Sequence, residues 1–466
     1  MSAGQGGSER LFSGLAISRD SSYKVYLNRY DIIYIDMADV LQKAGTKGLI
    51  PFIQTAVTNE IREAYPEAMV GNTFDETLIN TVEYTKNKFF MIIPEWDAPV
   101  RETPEIQDEY LDFLRMLFKS SGTTDRIFAA AYMTGTFPIK KDGSESAISD
   151  FWEFSMLNPG EFQEYIGFTD EEVRTICEKN HLDIEDMRRW YDGYSFDQVD
   201  SIYNPYSIMR AVKLRKYKSY WRMSSSADKL EDYINANYDG LFDTVLRLLN
   251  GMPVYVDTEG FNNDAASVKN LDDLLTLLIH LGYLAYRESD HTVRIPNEEI
   301  RAEFSKAARE VRSIEAVKRL QQSRQLIMDT MAMKADAVAA QIESVHSLVS
   351  DPLHYNNEQA LRCTIQIAYY AYPDYYLKFE ELGGGAGYAD IVYLPRRISK
   401  FPALVVELKW NKSSEGAVSQ IKNKRNPEVL HGYDGEILPV GINYSKNSGP
   451  DGHHHTCIIE KYNADQ

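Results

Sequence analysis

Cysteine is scarce in this chain: Cys177, Cys363 and Cys457 are the only three in 466 residues. They are scattered without the spacing of a metal site and are too few for a disulfide framework, so a reducing compartment is expected. Long apolar runs are missing as well. Nothing approaches the roughly 20 residues that a bilayer-spanning helix needs, and the opening "MSAGQGGSER" has no apolar core of a secretory signal. The cytoplasm is therefore the expected address, with no membrane partner. Positive charge is in deficit, the formal balance being -19. That excludes a chain coating nucleic acid over its whole surface, because phosphate binding draws on local Lys and Arg. Any such contact must be confined to a patch.

What is present is enough apolar material for more than one core: 44% of residues are hydrophobic and 12% aromatic. The pattern along the chain divides it into blocks. Residues 11–150 carry the β-rich runs "DIIYIDMADV" (31–40), "KFFMIIPEW" (88–96) and "RIFAAAYMTGT" (126–136), alternating with helix-compatible stretches. Apolar strands separated by helices are the signature of a parallel sheet covered on both faces, so an α/β domain is expected there. Residues 151–300 read as mostly helical, interrupted by the turns of "WYDGYSF" and "IYNPYS". This block ends in a leucine-rich helix and two strand-like runs around "ESDH", a winged-helix-like order whose helix lacks a basic cluster and is read as a packing module. Residues 301–345 have the composition of a helical connector.

The block 346–466 contains "ALVVELKW" (403–410), a strand of Val and Leu with two opposite charges. Side chains two apart share a strand face, so Val405, Glu407 and Lys409 point one way and Leu404, Val406 and Leu408 the other. A second strand, "GYADIVYLP" (387–395), precedes it across a connection short enough for pairing, which would bring Asp390 beside Glu407. Two adjacent carboxylates repel each other unless a cation neutralises them. A hard divalent ion such as Mg²⁺ suits that need, and Lys409 could orient the attacking water and offset charge on a phosphate. Upstream, "YNNEQALRCTIQIAYY" (355–370) reads as a helix with Glu358, Leu361, Arg362 and Ile365 on one stripe, placing Glu358 at the edge of the sheet-facing surface.

A helix bearing Glu, a strand bearing Asp, a strand ending in Glu-x-Lys and a helix with "AVSQI" resemble, in this order, the PD-(D/E)XK nuclease superfamily. The resemblance implies a restriction-endonuclease-like α/β domain. It also implies Glu358 as the helix acid, Asp390 and Glu407 as ligands of Mg²⁺ (or Mn²⁺) with the carbonyl of Leu408, Lys409 as the catalytic lysine and Gln420 as a supporting residue. Ala389 stands where the superfamily commonly has Pro. Nucleic acid, DNA above all, is the expected partner. Between Tyr388 and Leu430 eight basic residues face four acidic ones, a local excess in a chain of charge -19. Lys412, Lys422, Lys424 and Arg425 are the candidate backbone contacts.

The resemblance extends further. "FWEFSMLNPGEFQEYIGFTDEEV", "WYDGYSF", "YNPYSI", "LGYLAY" and "IPNEEI" follow the order seen in the family that joins an AAA-ATPase-like domain to such a nuclease domain, over nearly the whole chain from Leu11. That implies a P-loop-NTPase-like parallel sheet in the first block. No G-x-x-x-x-G-K-[ST] occurs, and "GTKG" (45–48) lacks both the spacing and the following Ser or Thr. The acidic strand tip expected of such ATPases reads "IIPEWD", with Pro94 at the first acidic position and Glu95 and Asp97 retained. The expectation is a shortened or degenerate ATPase-like remnant, with "YMTGTFPI" (132–139) as a vestige of the phosphate-sensing strand and with ATP hydrolysis weak or absent.

Two further features are read as structural. "GGGAG" (383–387) precedes a strand instead of a helix, so a flexible turn is expected and not a phosphate cradle. "HHH" (453–455) is read as an exposed polar turn before the strand "TCIIEKY".

Overall fold

The computed structural model describes residues 8–45, 48–119, 121–136, 138, 141–142, 145–146, 151–221, 233–234, 240–261, 268–310, 314–349, 358–380, 389–396, 401–423, 430, 433, 435–447 and 454–461. The chain divides into two compact units, Met1–Phe162 with Asp257–Gly282, and Gln163–Val256 with Tyr283–Gln466. No described helix is long and apolar enough to cross a membrane.

The first unit is built on a three-stranded parallel sheet: β1 (Asp31–Tyr34), β2 (Phe89–Ile93) and β3 (Phe128–Met133), with β2 central. Parallel neighbours need helical crossovers. These are supplied by α1 (Met37–Ala44), α2 (Leu49–Ala64) and α3 (Phe74–Thr85) before β2, and by α4 (Gln107–Phe118) before β3. Local chemistry fixes their starts: the Asp36 carboxylate accepts the Asp39 amide at 3.1 Å, and the Thr73 hydroxyl accepts that of Glu76 at 3.4 Å. Alternate residues of β2 (Phe89, Met91, Ile93) enter a core with Ile53, Leu78, Leu114 and Leu117. The parallel α/β sheet anticipated from the three apolar runs is present. A helix, Leu271–His280, also belongs to this unit.

The described residues of the second unit pack in separate clusters. Around one lie α5 (Asp170–Asn180), α6 (Ile184–Tyr191) and α7 (Pro205–Leu214), joined through Val173, Met187, Tyr191, Tyr203 and Ile208. Helix α5 opens with a reciprocal capping box between Thr169 and Glu172, and α7 with Asn204 as cap and Pro205 in the first turn. The two runs around "ESDH" form the expected antiparallel hairpin, Ala285–Arg287 with Thr292–Arg294, extended by Val254–Tyr255.

Helices α8 (Glu298–Glu310), α9 (Ile314–Met331), α10 (Ala335–Val349) and α11 (Glu358–Ala368) lead into a five-stranded mixed sheet. Its strands are β4 (Tyr376–Glu380), β5 (Ile391–Pro395), β6 (Ala403–Trp410), β7 (Ile437–Tyr444) and β8 (His455–Ile459), in that spatial order. Only β6 and β7 run parallel, and α12 (Ser414–Asn423) makes their crossover. One face carries Leu404, Val406, Leu408, Val440 and Ile442 against Leu326 and Ile327 of α9, Val338 and Ile342 of α10, and Leu361 and Ile365 of α11. The stretch expected as a connector therefore supplies part of this core. The opposite face carries Val392, Ala403 and Val405 against Ile421 of α12.

Candidate active site

Strand β6 is buried along most of its length, yet Glu407 and Lys409 interrupt its apolar series on the face that meets α12. Strands β5 and β6 pair antiparallel with Ile391 opposite Val406, so the register carried one residue on sets Asp390 across from Glu407. Both carboxylates are nearly sealed from solvent, at 6% and 3% exposure. Each is matched by its own cation. Arg362 of α11 reaches Asp390 Oδ1 at 2.6 Å, and the Lys409 ammonium donates to Glu407 Oε1 at 2.9 Å. Asp390 Oδ2 accepts the Leu408 amide at 2.7 Å, tying the loop before β5 to β6. Gln420 of α12 donates to Glu407 Oε1. Two groups thus form near this end of the sheet, Arg362 with Asp390 and the Leu408 amide, and Lys409 and Gln420 with Glu407.

Gln420 arrives there because β7 yields space. Gly441 stands opposite Glu407 in the parallel register, and a Cβ at this position would lie 2.4 Å from the Ser414 carbonyl and 2.9 Å from Val418. Only a residue without a side chain lets the start of α12 rest on the strand.

The remaining residues proposed from sequence divide by position. Glu358 is the first residue of α11 and is exposed; it is Arg362, one turn further along the same helix, that meets Asp390. Arg362 was legible as a member of the buried stripe but carried no sign of its partner. Lys412 is exposed in the turn after β6, its amide bonded to Asn443 at 3.0 Å. Lys422 lies on α12 and pairs with Glu460. Lys424, Arg425 and the "GGGAG" loop lie outside the described residues. His455 corrects the reading of "HHH" as an exposed turn: it is the first residue of β8 and is buried, with His454 bonded beside it, while His453 lies outside the described residues.

The two carboxylates are oxygen donors of the kind a hard dication takes, but Arg362, Lys409, Gln420 and the Leu408 amide already occupy them. An ion binding there would contend with Arg362 for Asp390.

At the tip of β2 the acidic residues are held within the first unit. Arg101 pairs with Glu95 at 2.8 Å and with the buried Asp97 at 2.9 Å, and Asp97 Oδ2 accepts the Thr136 amide at 3.1 Å. Gly135 of the "TGT" segment lies so close that a Cβ would fall 2.5 Å from Asp97 Oδ1. Asp97 therefore clasps the tips of β2 and β3.

The sequence motifs outside these sites meet one another. Asp170 of "FTDEEV" pairs with Arg188 at 2.8 Å and accepts the Tyr203 hydroxyl at 2.8 Å; the guanidinium holds its carboxyl well below the usual range. Ser207 of "YNPYSI" donates to both oxygens of Glu299 of "IPNEEI", at 3.0 and 2.8 Å, and the Tyr220 amide donates to Oε1 at 2.7 Å. Burial pushes Glu299 up to about 7 against the lowering effect of these donors.

Comparison with known proteins bears on the first unit. Residues 2–144 match the family described as "Predicted AAA-ATPase", so this part of the chain is AAA-ATPase-like. An uncharacterized protein in the vnfD 5′ region of Azotobacter chroococcum mcd 1 is 24% identical over 149 residues, 31% of this chain and 28% of that protein. The match thus spans little more than a quarter of the relative's length. Among solved structures, the ORC2 protein of Aeropyrum pernix, in ADPNP-ADP complexes, aligns over 66% of this chain and 86% of that one, with 11% identity and a TM-score of 0.25.

Proposed function

We propose that this protein is a metal-dependent nuclease that hydrolyses phosphodiester bonds, with DNA as the first substrate to test and the AAA-ATPase-like part as a degenerate scaffold or regulator. Supporting this reading, Lys409 and Gln420 bond Glu407 and Asp390 bonds the neighbouring Leu408 amide, in the chain order of the PD-(D/E)XK resemblance. A Mg²⁺ or Mn²⁺ ion held by Asp390, Glu407 and the Leu408 carbonyl would supply Lewis-acid chemistry at the phosphate. The chain's own groups have separate tasks. Lys409 is a half-buried donor fixed by Glu407, able to orient an attacking water and to offset charge developing on phosphate oxygen. Gln420 holds the Glu407 carboxylate in one rotamer, and the Leu408 amide does the same for Asp390. Lys412 offers an exposed cation near the mouth for the substrate backbone.

A second reading is favoured by one observation: Arg362 and Lys409 already balance the two carboxylates, so the fold can hold this site without an ion and bind nucleic acid without cutting it. A further variant of the proposal makes the chain part of an ATP-regulated nuclease. Incubation of the pure chain with end-labelled and supercoiled DNA in Mg²⁺ or Mn²⁺ separates these. Cleavage lost in Asp390→Ala and Lys409→Ala supports the nuclease; equal cutting by both variants and the parent would overturn it. Turnover of Mg²⁺-ATP is expected to be weak or absent, and brisk hydrolysis would refute the degenerate role of the first unit.

A further inference from the structure

Away from the carboxylate pair, on the Leu408 face of the same sheet, one cluster combines two imidazoles and a carboxylate. Glu343 and His346 are three apart on α10 and so lie on one side of that helix. Strand β8 packs against α10 and begins at His455, which pairs with Tyr444 of β7 in register. One donor atom from each of Glu343, His346 and His455 lies within 4.8 Å of the others.

The hydrogen bonds settle how these groups face each other. Glu343 Oε2 accepts three donors: the amides of His454 and His455, each at 3.0 Å, and the His455 ring at Nδ1, 2.7 Å away. With Nδ1 as donor, the lone pair of His455 rests on Nε2. That nitrogen is buried and has no hydrogen-bond partner among the described residues, and the side chain is 0% exposed. A carboxylate gripping one nitrogen of an imidazole while the other waits unsatisfied is the arrangement by which metal-ligating histidines are oriented. The His346 ring stands at 89° to that of His455 with centroids 4.9 Å apart. Tyr444 packs on both rings at 5.2 and 5.1 Å, and Trp410 stacks on Tyr444 at 4.4 Å, which walls the cluster with aromatic surface.

We propose that the imidazoles of His346 and His455, the latter oriented by Glu343 through its Nδ1–H, form a binding site for a borderline divalent transition ion of the Zn²⁺ class, distinct from the carboxylate pair, which fastens the last strand of the sheet to α10. Imidazole nitrogens suit Zn²⁺, whereas Mg²⁺ prefers oxygen alone. Tetrahedral Zn²⁺ with bonds of 2.0–2.1 Å sets its ligand atoms about 3.4 Å apart.

The test uses the full chain after chelator treatment, titrated with Zn²⁺ in competition with a chromophoric chelator, and separately with Co²⁺ followed by visible absorption. One equivalent should bind, Mg²⁺ in large excess should not displace it, and Co²⁺ should give the intense bands of a four-coordinate site. His346→Ala, on a helix where Ala is tolerated, should weaken Zn²⁺ at least tenfold and erase those bands. Glu343→Gln should weaken it as well. Asp390→Ala with Glu407→Ala should leave the equivalent in place, which separates this site from the proposed nuclease centre. Absence of binding to the parent chain, or binding indifferent to His346→Ala, would overturn the proposal.

Discussion

Replacing Glu299 by Gln isolates the contribution of one buried carboxyl to stability. Glu299 is 1% exposed and receives donors from Ser207 and the Tyr220 amide, yet desolvation outweighs them and lifts its titration to about 7 from an ordinary 4.5. Because the folded pKa is raised, the native state binds the extra proton between those values. Stability then falls as pH rises through that window and levels off above about 7. At about 1.4 kcal/mol per unit, the loss assigned to Glu299 between pH 5 and pH 8 is about 2–3 kcal/mol. The Gln variant keeps the shape and cannot ionise. Urea unfolding at both pH values, followed by tryptophan fluorescence, should give a difference between parent and variant that shifts by this amount in favour of the variant at pH 8. A difference that does not change with pH would refute the reasoning.

Other substitutions probe the remaining joints. Arg362→Ala leaves the Asp390 charge buried without its guanidinium and should cost about 3 kcal/mol; added Mn²⁺ should raise the melting temperature of this variant more than that of the parent. Gly441→Ala places a methyl against the Ser414 carbonyl at 2.4 Å. It should cost about 1–3 kcal/mol in denaturant unfolding and displace Gln420 from Glu407, reducing any cleavage activity. Asp97→Ala removes the bond to the Thr136 amide and one of the two carboxylates that Arg101 meets, and should lower the melting temperature with a loss of about 3 kcal/mol.

The parallel sheet of the first unit was legible because β1, β2 and β3 are short apolar runs separated by helical stretches, a pattern that periodicity alone resolves. The pairing of β5 with β6 was legible from the short connection, and the shared face of Glu407 and Lys409 from the two-residue repeat. Arg362 escaped because a buried arginine on an apolar stripe reveals its partner only when the strand beneath is in place. The His455 cluster escaped for a related reason: adjacent histidines before a strand read as a polar turn, and only the packing of α10 on β8 buries one of them against Glu343. The same limit applies to "YNPYSI" and "IPNEEI", whose contact joins residues 92 positions apart.

That long path has a bearing on how the chain is made. Translation at about 5–20 residues per second delivers Glu299 some 5–20 seconds after Ser207. Throughout this interval the nascent helix at Pro205–Leu214 exists before the acceptor for its hydroxyl has been synthesised. Maturation of that core must therefore wait on the ribosome, and a pause introduced just upstream of codon 299 should lengthen the time during which the emerging polypeptide is open to proteases and chaperones.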